Sequence, residues 1–266
     1  MSGASRNWRQ GLFAMAGSSL KGQAALITGA AKRIGRATAL ALAAEGVNIV
    51  VHYRSAEEEA QALCRELAER GVQAWAVGAD LAKPEEVETL LPRALDAAGS
   101  LDILVNNASI FPPTTLENVR VEDLALNAQV NAWAPFVLSR AFARRVGRGK
   151  IVNLLDARIA GYDWSHVAYI LSKHLLAVLT RMTALEFAPG ITVNAVAPGL
   201  ILPPPGQDDA FLDRLVNTVP LKRHGEPGDI AEAIVYLVKS DFLTGVVIHV
   251  DGGRHLREIV HGPYPD

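Results

Sequence analysis

Tyr169 and Lys173 stand four positions apart in "YILSK", within a stretch whose periodicity predicts a helix over 165–188. Residues at that spacing share a helix face. A lysine ammonium beside a phenol favours the phenolate, so Lys173 is expected to lower the Tyr169 pKa. Such a phenol can serve as a proton donor near neutral pH. A second reactive group lies near the start. "ITGAAKRIGRATA" (27–39) reads as a strand end, a glycine turn and the first turn of a helix. Thr28 and Gly29 close the strand, and Gly35 opens the helix. A small residue there lets the backbone approach a pyrophosphate, whose charge the helix N-terminus attracts. Lys32 and Arg33 add two cations to this turn. The next strand ends in Tyr53, Arg54 and Ser55, with no acid before Glu57. An acid there would bind a ribose 2′-hydroxyl. The planar fork of Arg54 suits a 2′-phosphate instead, with Ser55 donating a further hydrogen bond. With Lys32 and Arg33 converging from the first turn, the pattern points to NADPH. The plain alternative is that these cations are solvated surface charges.

Positioning these groups requires a sheet. Seven β-branched, nearly continuous apolar runs read as strands: 23–28, 47–53, 72–78, 101–107, 150–156, 191–198 and 244–250. Helix-period segments separate them, at 34–46, 56–70, 84–98, 121–146 and 165–188, with shorter ones near 208–217 and 227–239. The alternation predicts an α/β fold, a single doubly wound parallel sheet with helices on both faces. Ligands bind such sheets at the carboxyl ends of the strands, where the glycine turn falls. "ILPPPGQDD" (201–209) resists both helix and strand and predicts a surface loop.

The chain has 266 residues, half of them hydrophobic, and a net charge of −2. That suits one large domain and gives no sign of a nucleic-acid or membrane-surface binder. Cys64 is the single cysteine, so no intrachain disulfide or cysteine-built zinc site is possible. A reducing, cytoplasmic setting is expected. Residues 1–20 read as a flexible leader, with Met15 as an alternative start to Met1. The domain is expected over 21–257, followed by a tail over 258–266.

"TGAAKRIG", "NNAS" (106–109), "YILSK" (169–173) and "APG" (197–199) occur in order at fitting strand ends. Together they resemble the short-chain dehydrogenase/reductase family over about residues 21–254. The resemblance implies a Rossmann-type sheet of seven parallel strands and hydride transfer from a nicotinamide. Tyr169 would be the acid, and Lys173 would hold the ribose and tune Tyr169. Asn131, in "VNAWAP", would support a proton-relay water; otherwise it is a polar group within a buried helix. Asn107 would steady the central strands. Asp80 in "GADL" would contact adenine, and Ile34, Leu81, Ala108, Pro198, Gly199, Leu200 and Ile201 would complete the cofactor groove. The family's usual threonine after "PG" is missing from "PGLILPPP".

Two departures narrow the resemblance. Arg33 replaces the middle glycine of the common turn. The family's catalytic serine stands about 13 residues before the tyrosine, and that position here is Asp156 in "NLLDARIAG". A carboxylate beside a phenol tends to share one proton with it, with apparent pKa values belonging to the pair. That suits a substrate with N–H donors and a basic imine nitrogen better than a plain ketone. The chain is similar here to pteridine reductases and dihydromonapterin reductases, in "GAAKRIGRA", "HYRSAEE", "NNASIF", "LLDA" and "DGGRHLR". That similarity implies that Phe111 stacks on a pterin ring and that Ser109 contacts ligand and cofactor. Phe111 otherwise reads as an apolar plug at a loop base. The expected activity is NADPH-dependent reduction of a pterin or folate-like substrate, by a homodimer or homotetramer joined through the two long helices. Two rival readings remain, a short-chain reductase of a keto sugar, steroid or acyl substrate and a non-catalytic NADPH sensor.

Overall fold

The computed structural model describes residues 19–204, 206, 208–257 and 260–261. Residues 1–18 of the expected leader, Met15 among them, lie outside these, whereas Leu20, assigned to the leader by sequence, is buried in the core. All seven expected strands form, as β1 (Ala24–Ile27), β2 (Asn48–Tyr53), β3 (Ala74–Gly78), β4 (Ile103–Asn106), β5 (Gly149–Leu154), β7 (Ile191–Pro198) and β8 (Val247–Val250). They make one parallel sheet in the order β3-β2-β1-β4-β5-β7-β8. The short β6 (Tyr162–Asp163) pairs with β9 (Val260–His261) in the same chain. The tail is therefore tied back to its own domain at that point.

Strand periodicity explains the two-sided core. Successive side chains point to opposite faces. On β1, Ala25 and Ile27 join one buried cluster while Ala24 and Leu26 join the other. The first face is covered by α1 (Arg33–Ala44), α2 (Glu57–Glu69) and α8 (Pro227–Lys239). The second is covered by α3 (Pro84–Ala98) and α5 (Ala134–Arg145), with Leu90, Leu91, Leu138 and Phe142 fully buried. α6 (Val167–Glu186) packs against β7.

The helix expected over 121–146 is three pieces. α4 (Val121–Ala128) runs into a π-helical turn (Gln129–Trp133), and α5 follows. Pro135 explains the change. It has no N–H to give the Asn131 carbonyl, its partner in a regular helix, and its ring crowds that carbonyl. The turn buries Asn131 completely. Residues 201–204 form neither helix nor strand, and α7 (Asp209–Leu215) lies beyond them in the chain. No helix among the described residues is long and apolar enough to cross a membrane. α6 leaves Leu171, Leu175, Val178, Met182 and Leu185 exposed, a stripe at helical spacing.

The strand order reverses between β1 and β4, and a crevice opens there at the carboxyl ends. Residues at or just beyond the ends of β1, β2, β4 and β5 line it, together with the first turns of α1 and α6.

Candidate active site

Gly29 follows β1 with a φ of 64°, which glycine takes without strain. Gly35 has no room for a side chain. A Cβ there would lie 2.3 Å from the Gly29 carbonyl oxygen and 2.9 Å from the Ala30 Cα. Asn107 locks the turn to β4 by donating from Nδ2 to the carbonyls of Thr28 (2.8 Å) and Gly29 (3.1 Å). Thr28 is buried beneath, its Oγ1 accepting from the amides of Asn107 and Ala108. Its side chain braces the turn rather than facing the crevice.

His52 performs a similar task from β2. Its Nδ1 accepts the Gly29 N–H at 3.0 Å, so Nε2 carries the proton and donates to the Ala79 carbonyl at 3.0 Å. One neutral imidazole thus joins the ends of β1, β2 and β3. Burial lowers its pKa to about 4, which keeps it neutral across the physiological range.

These turns border a cavity of about 360 Å³. Gly29, Gly35 and Asn107 form its floor, and Asp80, Leu81 and Ala108 one wall. Lys32, Arg33 and Arg54 stand at its cationic side, as the sequence predicts. Two of the three have protein partners: Lys32 pairs with Glu59, and Arg33 donates to the Pro203 carbonyl at 2.8 Å. Arg33 thereby ties the chain at Pro203 to the glycine turn. Tyr53 and Ser55 lie outside the lining of this cavity. The Tyr53 ring rests against Gly78, where an added Cβ would come within 3.0 Å of it.

A second cavity of about 700 Å³ shares Arg33, Ile34, Asn107 and Ser109 with the first, so the two form one groove. Asp156, Tyr169 and Lys173 line its inner end, and Pro198, Gly199, Leu200 and Ile201 one side. The Tyr169 hydroxyl donates to Asp156 Oδ2 at 2.8 Å. Lys173 Nζ donates to the Leu154 carbonyl at 2.8 Å and lies 5.6 Å from the Tyr169 ring centroid.

The family profile described as Enoyl-(Acyl carrier protein) reductase matches residues 29–255. The 3-oxoacyl-(acyl-carrier-protein) reductase FabG of Staphylococcus epidermidis is 35% identical over 242 residues, covering 88% of this chain and 99% of the relative. The chain belongs to the short-chain dehydrogenase/reductase family. Solved structures agree. FolM alternative dihydrofolate reductase 1 from Brucella canis, complexed with NADP, superposes with a TM-score of 0.83 at 32% identity, covering 90% of this chain and 96% of that one. A short-chain dehydrogenase from Burkholderia cenocepacia, also with NADP, gives 0.83 at 33% identity, covering 89% and 99%.

In this short-chain dehydrogenase/reductase two expectations change. Burial, reinforced by Asp156, raises the Tyr169 pKa well above its ordinary value. The cation that opposes the rise is Arg158, not Lys173, whose ammonium is turned to a backbone carbonyl. The Asn131 side chain is engaged within the protein. Its Oδ1 accepts from Ser109 Oγ (3.0 Å) and the Ile110 amide (2.8 Å). Its Nδ2 donates to the Ile110 carbonyl and Ser172 Oγ, both at 3.0 Å. It clamps the loop after β4 to α6. Phe111 is already stacked, on His166, with ring centroids 3.8 Å apart. A flat ligand on that face must displace the imidazole.

Sequence reasoning also passed over residues. Arg158 reaches Asp156 from Nε at 3.3 Å and pairs with the buried Asp163. Asp163 accepts from the amides of Ser165 (2.8 Å) and His166 (3.2 Å), and its pairing holds its pKa far below the usual carboxylate range. The only available signal was a cation two positions after Asp156 in "DARIAG", in a segment without periodicity.

Lys173 predicts a pH effect. Complete burial lowers its pKa from 10.5 to about 8, with Asp156 opposing. Its charge is lost as pH rises through about 8. We expect kcat/KM for NADPH to fall above that pH with one ionisation, measured from pH 6 to 10 on the free enzyme. The sign for stability is opposite. Burying the ammonium weakens the fold below about pH 8, and the penalty fades as pH approaches 10.5.

Proposed function

We propose that this enzyme uses NADPH to reduce a pterin or folate-like ring. One observation carries the reading: the hydrogen bond of 2.8 Å from Tyr169 to Asp156 at the inner end of the groove. A carboxylate at that position accepts hydrogen bonds and supplies none while ionised. It suits an aminopyrimidine edge rich in N–H donors. It gives no donor to a lone carbonyl oxygen.

The first cavity fits the cofactor. Gly35 leaves the backbone clear for a pyrophosphate at the start of α1, and Lys32, Arg33 and Arg54 suit a 2′-phosphate. Ser55 follows Arg54 but lies outside the lining, so it would contribute only by turning its hydroxyl toward the same phosphate. Asp80 and Leu81 would border the adenine, and the chain from Pro198 to Ile201 the nicotinamide. When bound, NADPH supplies the hydride that saturates a ring carbon–nitrogen double bond. Tyr169, coupled to Asp156, passes a proton to the ring nitrogen, and solvent restores it. Lys173 steadies the ribose. Ser109, in the wall common to both cavities, contacts cofactor and substrate. Phe111 supplies an aromatic face once His166 moves aside. The exposed stripe on α6 suits pairing of two copies into a homodimer or homotetramer.

A second reading has support of its own. Leu200, Phe211 and Leu215 give the outer cavity an apolar side, which suits an acyl chain. That reading makes the enzyme a 3-oxoacyl reductase, as its relative FabG is described. Oxidation of NADPH, followed at 340 nm with dihydropterins, dihydrofolate, an acetoacetyl thioester and simple ketones, separates the two. Turnover confined to pterins and folates supports the first reading. Turnover of the thioester alone replaces it with the second. Running the panel with NADH as well tests the cation pocket, and equal rates with both cofactors would remove it.

A further inference from the structure

Asp156 is not free to choose its role. Oδ1 accepts the Arg158 amide at 2.8 Å and lies 3.3 Å from Arg158 Nε. Oδ2 accepts the Tyr169 hydroxyl at 2.8 Å. All three partners are donors. A carboxylate offers about four lone-pair sites; two hold hydrogen bonds and the guanidinium lies against Oδ1, so what remains accepts only an N–H or O–H.

The other side of Arg158 is anchored as firmly. Its Nη1 pairs with Asp163, whose side chain is 3% exposed. Asp163 Oδ1 is taken by two backbone amides, and Oδ2 also faces His166 Nδ1 at 3.2 Å. The guanidinium is thus held between two carboxylates. It also lies 4.8 Å from the Phe111 ring centroid and 5.9 Å from that of Tyr169. A planar fork can bridge two carboxylates and lie along aromatic rings at once, which an ammonium cannot. Among the described residues of the groove, only Arg158 touches Asp156, Asp163 and the Phe111 ring together.

We propose that Arg158 is the positioning and specificity residue of this site: it fixes Asp156 as a hydrogen-bond acceptor and so selects substrates that present an N–H edge. The proposal rests on the pteridine reading for its natural ligand, but its test does not need turnover. Arg158 orients the carboxylate through two contacts on Oδ1, leaving Oδ2 to Tyr169 and the ligand. Substituting Arg158 leaves its backbone amide on Oδ1 but removes the guanidinium and its link to Asp163, so the carboxylate loses the one side-chain cation that fixes its angle. The loop from Asp156 to Asp163 thus acts as one unit, with Arg158 as its link.

The test is calorimetric binding of 2,4-diaminopteridine to the NADPH-loaded enzyme, in the natural chain and in Arg158→Gln, Arg158→Lys and Asp163→Asn. The NADPH affinity of each variant is measured beside it. We expect Arg158→Gln to weaken diaminopteridine by at least about 30-fold, the loss of charge-assisted hydrogen-bond order, with NADPH affinity changed by less than about 3-fold. Arg158→Lys should recover part of the loss, because it restores the charge without the fork. Asp163→Asn, which releases Arg158 from behind, should fall between. Should Arg158→Gln fail to fold, the other two variants read the same quantity. Diaminopteridine binding unchanged in the variants overturns the proposal. So does an equal loss of both ligands, which would make Arg158 merely structural, and so does a natural chain that binds no diaminopteridine. Binding that follows Arg158 without any pterin turnover would instead leave this proposal standing and remove the pteridine reading.

Discussion

Replacing Tyr169 with Phe is expected to lower kcat by about 10³-fold while leaving NADPH affinity nearly unchanged, as a proton donor in the transition state is worth about 10²–10⁴. The hydroxyl is the only side-chain O–H bonded to Asp156 among the described residues, at 2.8 Å. Burial and Asp156 both hold its proton in place, so the phenol reaches the reaction protonated. The phenyl ring of the variant keeps its edge contact with Phe111, whose centroid lies 4.6 Å away. Packing is thus conserved and the proton removed. Steady-state rates beside cofactor titration by fluorescence check both halves. A loss below about 10-fold would mean that solvent, not Tyr169, protonates the substrate.

Replacing Gly35 with Ala is expected to weaken NADPH by about 30-fold, equivalent to about 2 kcal/mol of overpacking. The added carbon would lie 2.3 Å from a backbone oxygen and 2.7 Å from Asn107 Nδ2. Backbone cannot rotate away as a flexible side chain can. Either the turn opens, or Asn107 gives up its bonds to Thr28 and Gly29. Both changes move the amides that would face the pyrophosphate. Titration of NADPH, with the melting temperature as a control, reads the effect. An unchanged affinity would place the pyrophosphate elsewhere.

The sheet was legible because its strands are covered on both faces. Each reads as an apolar run, and all seven fall where those runs predict. The break in the helix over 121–146 was not read, although Pro135 stood in view. A π-helical turn keeps its residues helical, so the hydrophobic period runs through it without a gap. The short β6 was missed for a different reason. Two residues paired with a distant segment leave no period at all.

At the site, the four-residue spacing put Tyr169 and Lys173 on one helix face, and both line the same groove. Spacing could not say that Nζ takes the Leu154 carbonyl. The glycine turn was read correctly as a place without side-chain room. That His52 and Asn107 hold it from neighbouring strands depended on strand order, and no local pattern encodes that order.

The sequence by itself determined the alternation of strand and helix, the strand ends where ligands bind, the cations near the glycine turn and the aspartate 13 positions before Tyr169. These are properties of residue type and spacing along one chain. Only the tertiary structure decided which partner each polar group takes. It turned Arg33 to Pro203, stacked Phe111 on His166 and set Arg158 between Asp156 and Asp163. The reason is physical. Hydrogen bonds and charge pairs act over a few ångströms. Their partners are chosen only when packing brings distant segments together.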